Sequence, residues 1–151
     1  MMVQKYSTTS GLISVLIVDD SPLFQRLIKE LLERHPDLYV ADAAISGEQA
    51  FSKARAIQPR VILLDLDMQI FTNPHAIAHL RAKSPASLIV AMTMLDRFDP
   101  QQTQNKFGVD AVLSKANLTV ELAAAILEKA TCAVKSGEAQ QQRLAPQYLA
   151  P

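Results

Sequence analysis

Six side chains at the ends of apolar runs could do chemistry together. Asp19 and Asp20 close SVLIVDD, Asp65 and Asp67 lie in VILLDLDM, Thr93 closes SLIVAMT, and Lys115 follows DAVLS. Taken singly, each is ordinary: paired acids after a strand are often a polar loop, and a lone lysine is usually a surface lysine. Brought to one place they define a site. Clustered carboxylates cannot all stay ionised without help, so their pKa values rise or a cation binds. An all-oxygen acidic site with few protein ligands suits Mg²⁺, which keeps waters and favours phosphate oxygens. Lys115 supplies a point positive charge for a phosphoryl group, and the Thr93 hydroxyl can donate to it. Asp65 can act as a nucleophile, because carboxylates form acyl phosphates. The set predicts metal-assisted phosphoryl capture.

The elements that would position these residues alternate. Residues 1–12 read as a flexible leader. The run ending at Asp20 reads as a strand covered on both faces. Ser21 and Pro22 start a helix, with Leu23, Leu27, Leu31 and Phe24, Ile28, Leu32 predicted to form one broad apolar stripe that Pro36 ends. Tyr39 to Ala44 is a second strand. Ser46 and Gln49 fit a capping box opening a helix to about Ile57. Arg60 to Leu66 is the third strand, Asn73–Pro74 opens a helix to about Lys83, and Ser87 to Thr93 is the fourth strand. Asp99–Pro100 caps a helix ending before Gly108, and Asp110 to Ser114 is a short fifth strand. A last helix starts at Asn117 or Thr119, with Val120, Leu122, Ala123, Ile126, Leu127 and Ala130 on its apolar side. Residues 136–151 read as a flexible tail. This pattern predicts one α/β domain over residues 13–135, a doubly wound five-stranded parallel sheet of order 2-1-3-4-5 with helices on both faces, flavodoxin-like. Ligands in such sheets bind beyond the carboxyl ends of the strands, where these polar residues fall.

Composition narrows the function. Lys+Arg and Asp+Glu both count 15, and 49% of the 151 residues are hydrophobic. The balanced charge argues against a direct nucleic-acid surface. No apolar run reaches the length of a membrane span, and MMVQKYSTTSG has no apolar signal core, so the expected setting is cytoplasmic. The single cysteine, Cys132, excludes an internal disulfide and reads as a small core residue. His75 and His79 stand at a spacing that can bind zinc, but no third ligand is in view.

The order DD, VILLDLDM, Thr, Lys on an alternating β-α pattern resembles the receiver domains of two-component response regulators. The likeness runs from about Ser14 to Val134. The stretches VLIVDDSPLFQRLIKELLERHPDL and LSKANLTVELAAAI are most similar to receivers of the NarL class, whose members usually add a helix-turn-helix; the expectation here is a receiver without that output domain. The resemblance implies that Asp65 accepts phosphate from a histidine kinase or phosphotransfer protein. It implies Mg²⁺ bound by the Asp20 and Asp65 side chains and the Asp67 backbone carbonyl, with Asp19 acting through a water. It implies that Thr93 and Lys115 contact the phosphoryl oxygens, and that a downstream protein reads the result. A homodimer is compatible with this reading.

The switch and output positions are Met94, Val112 and Phe107, and the first two depart from the pattern. Met94 replaces a usually small residue after the threonine, and its thioether is expected to roof the site. Val112 stands where receivers often carry a switch aromatic, so threonine–aromatic coupling cannot run in that form. Ala116 follows the lysine in place of a proline that is often cis, and a cis bond there would cost about 2.5–4 kcal/mol. The Asp67 side chain is expected to face solvent, with only its carbonyl used. The fourth helix, PQQTQNKF, has one apolar anchor, Phe107, and is expected to be the most mobile part of the domain.

Two other functions compete. A degenerate receiver would act as a phosphorylation-independent interaction module. A haloacid-dehalogenase-like phosphohydrolase is suggested by the resemblance of LLDLDMQIFTN to that family's first motif, with Asp65 attacking and Asp67 protonating. The order of motifs opposes that reading, since the acidic pair comes first and Met68 replaces the usual glycine. The expectation is therefore a phosphoacceptor, not an enzyme beyond slow self-dephosphorylation.

Overall fold

The computed structural model describes residues 11–94, 99–117, 125–126 and 128–129. Residues 1–10 of the predicted leader, the tail, Cys132 and all but a few residues of the last helix lie outside them.

The strands are β1 (Ile13–Val18), β2 (Leu38–Ala44), β3 (Val61–Asp65), β4 (Leu88–Thr93) and β5 (Ala111–Ser114). They form one parallel sheet in the order β2-β1-β3-β4-β5, as the alternation predicts. Four helices connect them: α1 (Pro22–Glu33), α2 (Gly47–Ile57), α3 (Pro74–Lys83) and α4 (Pro100–Phe107). A single 3-10 turn over Gln69–Thr72, not foreseen from sequence, precedes α3, and another covers Lys115–Asn117.

Both faces of the sheet are buried, and the period-two alternation of strands divides the side chains between them. Val15, Ile17, Leu63, Val90 and Met92 face one core with Ile28 and Leu32 of α1 and with Ile126. Leu16, Val18, Ile62, Leu64 and Ala91 face the other with Ala50 and Ala54 of α2 and Ile77 and Leu80 of α3. The continuous apolar runs of β1, β3 and β4 follow from this double coverage.

Local capping sets the helix starts. Ser21, Ser46, Asn73 and Asp99 each accept a backbone N–H from the first turn of their helix, and proline opens α1, α3 and α4. Each satisfies at least one of the donors a helix start leaves orphaned, and Asp99 satisfies two.

The predicted stripe on α1 is too broad. Ile28 and Leu32 are buried, but Leu23 is 76% exposed and Leu27 47%. The sheet covers only part of the apolar arc, so the Leu23–Leu27 edge is left in solvent. His79 packs edge-on against Phe51, with ring centres 4.5 Å apart.

Candidate functional site

The parallel sheet delivers the strand ends to one rim. Asp19 follows β1 and is fully buried, whereas Asp20 beside it is exposed. Asp65 is the last residue of β3 and is 3% exposed. Thr93 ends β4, and Lys115 follows β5 directly. Asp19, Asp20 and Asp65 each offer a carboxylate oxygen within 4.8 Å of the others, a spacing that could hold a metal ion. A hard, all-oxygen donor set of this kind fits Mg²⁺.

Lys115 joins the two buried acids. Its Nζ lies 2.9 Å from Asp19 Oδ2 and 3.0 Å from Asp65 Oδ2. The other oxygen of each acid takes a backbone N–H at 2.9 Å: Ser21 donates to Asp19 Oδ1, and Asp67 donates to Asp65 Oδ1. Burial pushes the Asp65 carboxyl above its ordinary value, with Lys115 and the Asp67 N–H pulling against that and the Asp19 charge adding to it. Burial also works against the Lys115 charge, but its bonds to Asp19 and Asp65 outweigh it and hold the lysine above its ordinary value. Two buried carboxylates and one ammonium leave net negative charge, the condition under which a cation binds.

Asp67 departs from expectation. Its side chain is engaged: Thr93 Oγ1 donates to Asp67 Oδ1 at 2.9 Å, and the Met94 N–H donates to Asp67 Oδ2 at 2.7 Å. The residue stays exposed, as its place past a strand end implies, but the turn after β3 also aims its carboxylate at the end of β4. Met94 itself is 56% exposed. A cleft of about 450 Å³ opens beside Asp67 and Thr93, lined also by Leu66, Thr103 and Phe107. Val112 is buried in the core, and Phe107 packs against that core from α4.

Two contributors were missed from sequence. Gln25 Nε2 donates to Asp19 O at 2.7 Å and to Ala44 O at 2.8 Å, tying α1 to the ends of β1 and β2. The Phe24 ring lies 4.2 Å from Lys115 Nζ, a cation–π distance. Both sit on the turn of α1 nearest the acids, but their spacing alone reads as helix surface and core.

Fold and site define an α/β module with an acidic, lysine-bearing cleft at the carboxyl rim of its sheet. The family model for the response regulator receiver domain matches residues 15–139, and the chain belongs to that family. Among curated relatives it is 38% identical over 76 residues to a protein-glutamate methylesterase/protein-glutamine glutaminase of Colwellia psychrerythraea, covering 50% of this chain and 20% of that protein. It is 32% identical over 102 residues to the nitrate/nitrite response regulator NarL of Escherichia coli, covering 68% of this chain and 47% of NarL. The chain thus spans less than half of these relatives. Among solved structures, the response regulator domain of Thermotoga maritima CheB aligns with a TM-score of 0.66 and 25% identity over 82% of this chain and 97% of that one. CheY6 of R. sphaeroides, solved in complex with the P1 domain of CheA3, aligns with a TM-score of 0.67 at 26% identity over 78% of this chain. Among the described residues, no helix is long and apolar enough to cross a membrane. Membership in the receiver family leaves the phosphohydrolase reading without support.

Proposed function

We propose that Asp65 accepts a phosphoryl group from a phosphohistidine on a histidine kinase or phosphotransfer protein. One Asp65 oxygen attacks phosphorus, the P–N bond breaks, and the imidazole leaves as an acyl phosphate forms. The carboxylates of Asp20 and Asp65 and the carbonyl of Asp67 would hold Mg²⁺, with Asp19 acting through a water. The ion would offset charge on the transferring group. Lys115 and Thr93 would contact the phosphoryl oxygens. The product would bias the surface of α4 and β5 for a downstream protein.

The observation that carries this reading is the Lys115 ammonium bridging Asp65 and the buried Asp19. That contact supports the reading, because the same fixed positive charge would act on a group formed on Asp65. Incubation with acetyl phosphate and Mg²⁺, read by intact mass, tests it: one phosphate is expected on the native chain and none on Asp65→Asn. The alternative, an interaction module that works without phosphate, is favoured by the Asp67 bonds to Thr93 and Met94, and it stands if the native chain takes no phosphate.

A further inference from the structure

We propose that the Asp67 carboxylate is an internal stand-in for the phosphoryl oxygens, holding their hydrogen-bond donors at the end of β4 until a phosphoryl group displaces it. Asp67 is then a positioning residue that limits loading of Asp65. The inference rests on the phosphoacceptor reading and goes beyond it.

The geometry is that of a bound oxyanion. Both Asp67 oxygens are engaged by donors from consecutive residues, the Thr93 hydroxyl on one and the Met94 N–H on the other. The backbone of Asp67 meanwhile donates to Asp65 Oδ1. One residue therefore touches the nucleophile through its main chain and the opposite rim through its side chain. An ionised acceptor makes such bonds shorter and stronger than a neutral one. Only a carboxylate satisfies both donors with two acceptor oxygens. Asparagine would turn an NH₂ toward one of them.

Under the proposed function a phosphoryl group on Asp65 draws on the Thr93 hydroxyl, and the Met94 N–H is the next donor at the same strand end. The Met94 N–H has a single proton, which cannot serve Asp67 and a phosphoryl oxygen at full strength together. The incoming group is also anionic, so it repels the carboxylate it replaces. Asp67 is exposed, and the cleft beside it gives the side chain a place to go. Phosphate would then exchange one acceptor of Thr93 for another. With Val112 in place of an aromatic partner, this exchange replaces a coupled movement of threonine and ring.

The test uses the full chain and its Asp67→Ala and Asp67→Asn variants, with BeF₃⁻ as the probe at saturating Mg²⁺. Binding is expected to tighten about tenfold in both variants, the scale of one strong charge-assisted bond released. In the free protein, the Met94 amide proton resonance is expected to move upfield in Asp67→Ala, and BeF₃⁻ should return it downfield. Equal or weaker BeF₃⁻ binding in both variants overturns the proposal. Tighter binding with an unmoved Met94 amide also overturns it, because bare charge repulsion would then suffice. If neither the native chain nor either variant binds BeF₃⁻, the phosphoacceptor reading fails and takes this inference with it. Native binding without tightening sinks the inference alone.

Discussion

The Phe24 ring lies 4.2 Å from Lys115 Nζ, so the ammonium that meets Asp19 and Asp65 also has an aromatic face against it. A charge held this way is a structural element as well as a reagent. Removing one member of a buried ion pair leaves the other uncompensated, at a cost of about 3–5 kcal/mol. Lys115→Met keeps much of the side-chain volume and strands the fully buried Asp19. It is expected to lower the urea unfolding free energy by about that much, whereas Phe24→Leu should cost only about 0.5–1 kcal/mol beyond packing. Lys115 has its folded pKa above the ordinary 10.5. The stability it contributes is therefore complete below 10.5 and is lost as pH rises through the folded value. Unfolding curves across the alkaline range check this. A native chain that loses stability no faster there than Lys115→Met would contradict it.

Asp65 works in the opposite sense. Its carboxyl is pushed up from 3.8, chiefly by burial. Between 3.8 and the folded value the native state binds more protons than the unfolded one, so stability falls as pH rises through that window. Above it, the ionised carboxylate is a standing cost at the sheet rim. Asp65→Asn is expected to raise Tm by a few degrees at neutral pH without Mg²⁺. Added Mg²⁺ should raise the native Tm by mass action and leave Asp65→Asn nearly unmoved, narrowing the gap. A variant that melts below the native chain in Mg²⁺-free buffer would show that Asp65's bonds outweigh its burial.

Much of this was legible in the sequence because the cues are local. Ser21–Pro22, Asn73–Pro74 and Asp99–Pro100 announce their helices within two residues, and apolar runs ending in Asp19, Asp65 and Thr93 mark strands that open on one rim. What stayed hidden depends on distance or direction. Periodicity gives the width of the apolar arc on α1 but not how much of it the sheet covers, so Leu23 and Leu27 were misplaced. The aim of the Asp67 side chain is set by the turn after β3. The carbonyls that Gln25 binds lie 6 and 19 residues away in the chain.

Gln25 supplies a third prediction from that hidden layer. Its amide satisfies two backbone acceptors, one of them on the buried Asp19. Gln25→Ala is expected to cost about 1–3 kcal/mol by taking this donor from the Asp19 carbonyl, while Ala44 O keeps the Asp19 N–H at 3.0 Å. It should also weaken Mg²⁺ binding, since it frees the joint between α1 and the end of β1. Gln25→Glu is nearly the same shape but turns acceptors on both carbonyls, so it should cost more than alanine at neutral pH. Equal stability of the native and glutamate chains in urea titrations would remove Gln25 from the site's scaffold.

The last prediction concerns α4, which has no fully buried residue. Its supports are at its ends. Asp99 caps the first turn by accepting the Gln101 and Gln102 N–H groups, and Gly108 closes the last turn at φ 69°, where a side chain would be strained. Arg81 Nη2 then clamps Gly108 O at 2.9 Å and Asp110 Oδ2 at 3.0 Å. A helix held by caps, one guanidinium and the single packing contact of Phe107 can open without the rest of the domain. Hydrogen exchange of residues 104–107 is therefore expected to be faster than that of the inner turns of α1, α2 and α3. Asp99→Ala removes about 1 kcal/mol of capping. That loss should appear as faster exchange in α4 and barely in global unfolding. Leu80→Ala, in the core beneath α3, should instead lower global stability by about 2–5 kcal/mol. If Asp99→Ala lowers global stability as much as Leu80→Ala does, α4 is part of the cooperative core. It could not then respond separately to chemistry at Asp65.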